Sequence, residues 1–287
     1  AEGSEPRRDK GAERKGDQKP ISDAELLRDN SILTTCGSAS LAEEALEVFN
    51  KGLSTGRLIF KGRNFTEDTF VKVLKSIGIF AKLKGLMQVR STVLPINEVD
   101  FSGIALYNEV PMDANLKMRW DLKRRAQTVQ LAVQFVRVST GAKIVRMEDC
   151  NLCGSTHDKE DLIEQEVIRL VKKFGFGSGK DARFTNEVSL ARNNFGDSLA
   201  KKIIEAAYWE RCKHPEKDSM PKLLINLSGN KIHAPRRIVS DLRQGQCAGG
   251  PISVATKRDT AEDQEKATIV VDFGDQEERS ASPLKDP

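Results

Sequence analysis

The sequence predicts an α+β fold: an antiparallel sheet that includes a hairpin over residues 127–147, packed by four or more helices, with disordered ends. Three observations lead to this expectation. Val129, Leu131, Val133 and Phe135 fall on one face of an extended chain, opposite Thr128, Gln130, Ala132 and Gln134, which is the period-two pattern of a half-buried strand. Ser139, Thr140 and Gly141 then supply a turn, after which residues 142–147 can return as the partner strand. Segments with helical spacing stand on both sides of this pair, near 40–52, 66–77, 158–174 and 198–212, and can pack on it.

Taken in order, residues 1–20 mix charges with Gly and Pro and contain almost nothing to bury, so the segment 1–30 is expected to be disordered. The first helix is expected at Ser40, where Ser40 and Glu43 fit a capping box and Leu41, Ala45, Val48 and Phe49 form the apolar stripe up to a stop at Gly52. A short strand lies between Gly56 and Gly62. Thr66 caps the next helix, with Glu67 and Asp68 in its first turn and Gly78 at its end. Residues 86–93 and 99–107 read as strands, the second interrupted at Gly103.

Beyond the hairpin, Ile163, Val167, Leu170 and Phe174 lie on one helical face, with acids at the start of the segment and bases at its end. Residues 174–180 form a glycine-spaced linker; Asp181 follows Lys180, so the phosphate-loop pattern is not met. Residues 185–194 are expected to be helical, and 223–227 to be a short strand or helix extension. Periodicity fades after Gly245, so 31–244 is expected to be the folded body and 245–287 an acidic, largely disordered tail, apart from the apolar island 268–273. No internal repeat is evident.

Charge is unevenly spread. The whole chain carries +4, while residues 1–30 hold seven basic against eight acidic residues and 255–287 hold five against nine, leaving +9 on 31–254. A basic body suits a polyanion. Lys117, Arg119, Lys123, Arg124 and Arg125 surround Trp120, and phosphate neutralisation beside a stacking ring is what single-stranded nucleic acid requires. Lys82, Lys84, Arg236 and Arg237 extend the candidate set; the competing reading packs Trp120 inward and leaves the charges solvated.

Five cysteines, an odd number, point to reduced thiols or a metal site rather than a disulfide framework. Cys150 and Cys153 with His157 supply three zinc ligand types from one loop, and Cys212 is the candidate fourth, with His214 beside it. A structural zinc is therefore a candidate cofactor, and ordinary loop cysteines are the alternative. No nucleophile motif or paired catalytic acids are present, so no enzyme is expected. No apolar run is long enough to span a bilayer, and no charged-then-apolar leader follows Ala1. The expectation is an intracellular protein, in the virion or host cell if viral, that binds single-stranded RNA or another polyanion with little sequence preference, as a self-associating coat, nucleocapsid or transport-type protein. The alternative is a protein-interaction or self-assembly module, zinc-stabilised or not.

Overall fold

The computed structural model describes residues 21–86, 94–104, 127–136, 142–152, 162–174, 185–215, 217–246 and 249–276. The elements are α1 (Asp23–Arg28), α2 (Asn30–Cys36), α3 (Ala39–Thr55), β1 (Arg57–Ile59), α4 (Glu67–Leu83), β2 (Glu98–Asp100), α5 (127–135), β3 (Ile144–Arg146), α6 (Leu162–Phe174), β4 (Glu187–Ser189), α7 (Asp197–Cys212), β5 (Leu223–Asn226), α8 (Pro235–Arg243), β6 (Val254–Thr256), α9 (Ala261–Lys266) and β7 (Ile269–Asp272). All seven strands are parallel in one sheet of order β1-β2-β3-β4-β5-β7-β6, an α/β arrangement. Among the described residues no helix is long and apolar enough to cross a membrane.

This corrects the antiparallel sheet and its hairpin. Residues 127–135 are helical, and β3 pairs in parallel with β2 and β4 instead of folding back on them. The glutamines carry the reason. Gln127, Gln130 and Gln134 are exposed, whereas Val129, Ala132, Val133, Phe135 and Val136 are buried. Steps of three and four residues between the glutamines make a polar helical stripe, with the apolar positions filling the rest of the circumference. Thr128, expected on the polar side of a strand, is buried and donates its hydroxyl to Glu67 Oε1 at 2.6 Å, tying α5 to the start of α4.

Helix boundaries moved in instructive ways. Thr66 does cap α4, its hydroxyl accepting from Thr69 N at 3.3 Å, but Gly78 lies inside that helix because Phe80 and Ala81 continue its buried stripe. Their burial outweighs the ~1 kcal/mol penalty of a helical glycine. Helix α3 starts from Ser38, not Ser40, and runs through Gly52 to Gly56. At Gly52 a Cβ would lie 2.5 Å from Leu58 Cδ2, so the glycine permits close helix–strand packing where a stop was expected. Residues 185–194, expected as helix, contain β4 and its turn, and residues 254–272, placed in the acidic tail, contain β6, α9 and β7.

The register exposes a repeat. Leu58, Val99, Val145, Val188, Ile225 and Val271 are successive ladder partners, all buried. Two residues on, Phe60, Phe101, Met147, Leu190, Leu227 and Phe273 form a second buried row. Two further on, Gly62, Gly103, Asp149, Arg192 and Gly229 all have positive φ, between 53° and 80°. Cys150, Asn193 and Asn230 come next, and Leu152, Phe195 and Ile232 are buried two positions later. Apolar-x-apolar-x-x-Asn/Cys-x-apolar resembles the core of the leucine-rich repeat pattern, here on intervals longer than its roughly 20–29 residues. The expectation of no internal repeat is corrected accordingly.

The chain departs from simple stacking only at its end. Strand β6 leaves a place beside β5 that β7 then fills. A right-handed crossover that steps backwards along the sheet places its helix on the opposite face. In agreement, Ala267, at the end of α9, buries against Ala255, Val270 and Leu224, whose side chains point away from the main core.

Candidate binding surface

Alternation along each strand sends one set of side chains into the helical core and the other to the open face. Across that face the register aligns Arg57, Glu98, Ile144, Glu187 and Leu224 in one row, and Ile59, Asp100, Arg146, Ser189, Asn226 and Asp272 in the next. The charges in these rows pair from strand to strand. Arg57 Nε meets Glu98 Oε2 at 2.7 Å, Arg146 Nε meets Glu98 Oε1 at 3.3 Å, and Arg146 Nη2 meets Glu187 Oε1 at 3.2 Å. Hydrogen bonding from Arg57, helped by Arg146, holds the Glu98 carboxyl below the usual carboxylate range against partial burial.

Further along the strands, Glu148 accepts from Ser189 Oγ at 2.6 Å and from Arg192 Nη2 at 3.0 Å, and Lys257 pairs with Asp272 at 3.0 Å. At the strand starts lies a shallow cavity of about 560 Å³, floored by half-exposed Ile144 and Leu224 and rimmed by Arg57, Glu98, Lys143 and Glu187. The arrangement offers apolar contact between matched charges.

Behind the face, buried amides hold the turns at the strand ends. Asn193 Oδ1 accepts from Cys150 N at 3.0 Å and Leu152 N at 3.3 Å, while its Nδ2 donates to Met147 O at 2.7 Å and Leu190 O at 3.0 Å. Asn230 repeats this on Asn193 N and Phe195 N and donates back to Leu190 O at 3.0 Å. In the preceding repeat the same place is taken by Cys150, whose thiol donates to Phe101 O at 3.2 Å. Burial pushes that thiol up to about 12, so it serves as a protonated donor here.

The sites expected from sequence fare unequally. Lys117, Arg119, Trp120, Lys123, Arg124 and Arg125 lie outside the described residues, as do Cys153 and His157. Cys150 turns its sulfur to a backbone carbonyl, and Cys212 is half-buried at the end of α7; among the described residues no group of three or more His, Cys, Asp and Glu side chains gathers as a metal site. Lys82 is exposed, but Lys84 donates to Asp23 Oδ1 at 2.8 Å and Asn50 Oδ1 at 3.2 Å, joining α4 to α1 and α3. Arg236 and Arg237 are exposed in the first turn of α8. Arg211 is buried and bonded to the carbonyls of Thr185 and Pro221.

The face residues were missed. Their signal was a charged or polar residue before and after an apolar one, as in Glu98-Val99-Asp100 and Glu187-Val188-Ser189. Fold and surface together define a strand–turn–helix array whose parallel sheet leaves a largely uncovered face between β1 and β5, with Asp100 and Ser189 buried within it. Comparison with family models, with curated proteins and with solved structures gives no match to this chain.

Proposed function

We propose that this chain is a protein-interaction scaffold that takes a segment of a partner protein on the open sheet face between β1 and β5. The observation supporting it is the set of aligned rows across that face, with charges already matched around the half-exposed floor of Ile144 and Leu224. Stacked repeats commonly bind through such extended surfaces, though architecture alone does not choose the ligand. Charge pairing chooses against phosphate here, because a nucleic-acid backbone needs cations without carboxylate partners along its track.

Affinity capture from cells with the unchanged chain, with Ile144→Glu on the face and with Lys75→Glu on exposed α4 tests this. Partners lost with Ile144→Glu and kept with Lys75→Glu are expected. An identical partner set for all three chains would sink the proposal.

Single-stranded RNA binding is a second reading, and a specific recess favours it. A hollow of about 430 Å³ between α8 and β6 is lined by Arg236, Arg243 and Arg258 with Ser240, Gln244 and Thr256, against the single acid Asp259. Arg236 sits in the first turn of α8, where the helix dipole disfavours a cation, so helix stability does not account for it. Filter binding of labelled polyuridylate at low and high salt, repeated with Arg236→Ala, decides the matter. Salt-sensitive binding weakened by the substitution supports this reading; no binding at low salt ends it.

A further inference from the structure

The two edges of the sheet are finished differently. Successive residues of a strand direct their N–H and C=O alternately to its two sides. On β6 the outward residues are Val254 and Thr256, and the carbonyl of Val254 and both backbone groups of Thr256 are covered. Val254 O accepts from Arg243 Nε at 2.9 Å, Thr256 N donates to Asp259 Oδ2 at 2.7 Å, and Thr256 O accepts from Asp259 N at 3.2 Å. Arg243 and Asp259 are themselves an ion pair, so these two residues cover three of the four outward backbone groups of this edge.

On β1 the outward residues are Arg57 and Ile59, with Lys61 next in phase. Thr55 Oγ1 accepts from Arg57 N at 3.3 Å. Among the described residues, the N–H and C=O of Ile59 and the N–H of Lys61 meet no partner. Beside them lies a cavity of about 260 Å³ lined by Val48, Lys51, Arg57, Ile59, Lys61 and Arg63. Arg57 is held by Glu98, and Arg63 by Glu44 and Glu47. Lys51 and Lys61 are exposed and, among the described residues, no carboxylate oxygen comes within 4.0 Å of either ammonium, although Lys51 is near enough to Glu47 to help hold its carboxyl low.

We infer that the β1 edge takes an extended acidic segment of a partner protein as an added strand. Its backbone bonds to Ile59 and Lys61, its carboxylates meet Lys51 and Lys61, and an apolar side chain between them enters the cavity over Val48. Edge strands that are not blunted are templates for this kind of pairing, in which backbone bonds provide affinity and side-chain pockets choose the sequence. The surface is separate from the open face between β1 and β5, and either can fail without the other.

The probe is a fluorescent synthetic peptide of alternating Glu and Val, titrated into the full chain with anisotropy as readout and amide exchange recorded at Ile59 and Lys61. Saturable binding is expected, with slower exchange at both amides. Lys51→Glu or Lys61→Glu should raise Kd about tenfold, Lys75→Glu should leave it unchanged, and a peptide of alternating Lys and Val should not bind. Absence of binding overturns the inference, and so does binding that leaves the two amides unprotected. Protection that appears without peptide and grows with protein concentration also overturns it, since a second copy would then be the occupant.

Discussion

Asn193 shows how much one buried amide can organise. It is fully buried and spans two repeats, accepting from Cys150 N and Leu152 N while donating to Met147 O and Leu190 O. Removing it strands several backbone groups away from water. Asn193→Leu is expected to lose about 3–5 kcal/mol, since each unsatisfied buried group costs about 1–3 kcal/mol. Cys150→Ala, which removes one thiol donor, should lose about 1–2 kcal/mol. Urea midpoints compare the two, and equal losses would refute the assignment. Glu98 makes a pH prediction. Its folded carboxyl lies below the ordinary value of 4.5, mainly through Arg57. The unfolded chain therefore binds the proton more readily, and the stability Glu98 contributes is complete above 4.5 and lost as pH falls through the lower folded value. Denaturant midpoints between about pH 3 and 6 should fall less steeply for Glu98→Gln than for the unchanged chain.

Single elements decide where this sheet stops. Strand β6 ends it with the Val254 carbonyl and both Thr256 groups covered by Arg243 and Asp259, while the outward groups of β1 at Ile59 are not covered by any described residue. Asp259→Ala removes the acceptor of Thr256 N and frees Arg243, opening the β6 edge to pairing with other chains. Concentration-dependent light scattering should rise for Asp259→Ala, and unchanged scattering would show that the ion pair does not guard the edge. At the opposite end of the core, Phe60 stacks with its ring centroid 5.2 Å from Phe101 and 5.6 Å from Phe70. This links β1, α4 and the segment after β2, so the first repeats share one aromatic cluster. The capped starts of α3 and α4 set the entry of each helix onto that cluster.

At the scale of the molecule, stacked repeats hold through their nearest neighbours, so the last ones protect the rest. Truncation after Gln244 removes β6, α9 and β7 and uncovers Ile225 on β5 and Leu227 just after it. The truncated chain should lose its cooperative thermal transition by circular dichroism; an unchanged transition would mean that residues after 244 are dispensable to the fold. Local chemistry was legible in the sequence wherever a residue acts on near neighbours. Thr66 as a cap, the strand after Gly56 and the helices expected near 158–174 and 198–212 follow from hydroxyls, glycines and spacing within a few residues, while residues 223–227 read equally as a short strand or a helix extension. The island 268–273 was visible as apolar, but its place between β5 and β6 was not. What only the tertiary structure decided is the pairing of strands three or four residues long, too short to show their period. It also made residues 127–135 a helix, because burial around most of their circumference fits a helix flanked by α4 as well as it fits a strand. The repeat and the open face depend on register between residues far apart in sequence, where Leu, Val and Ile interchange freely in one row and Phe, Met and Leu in the next, so position in space carries the pattern that residue identity does not.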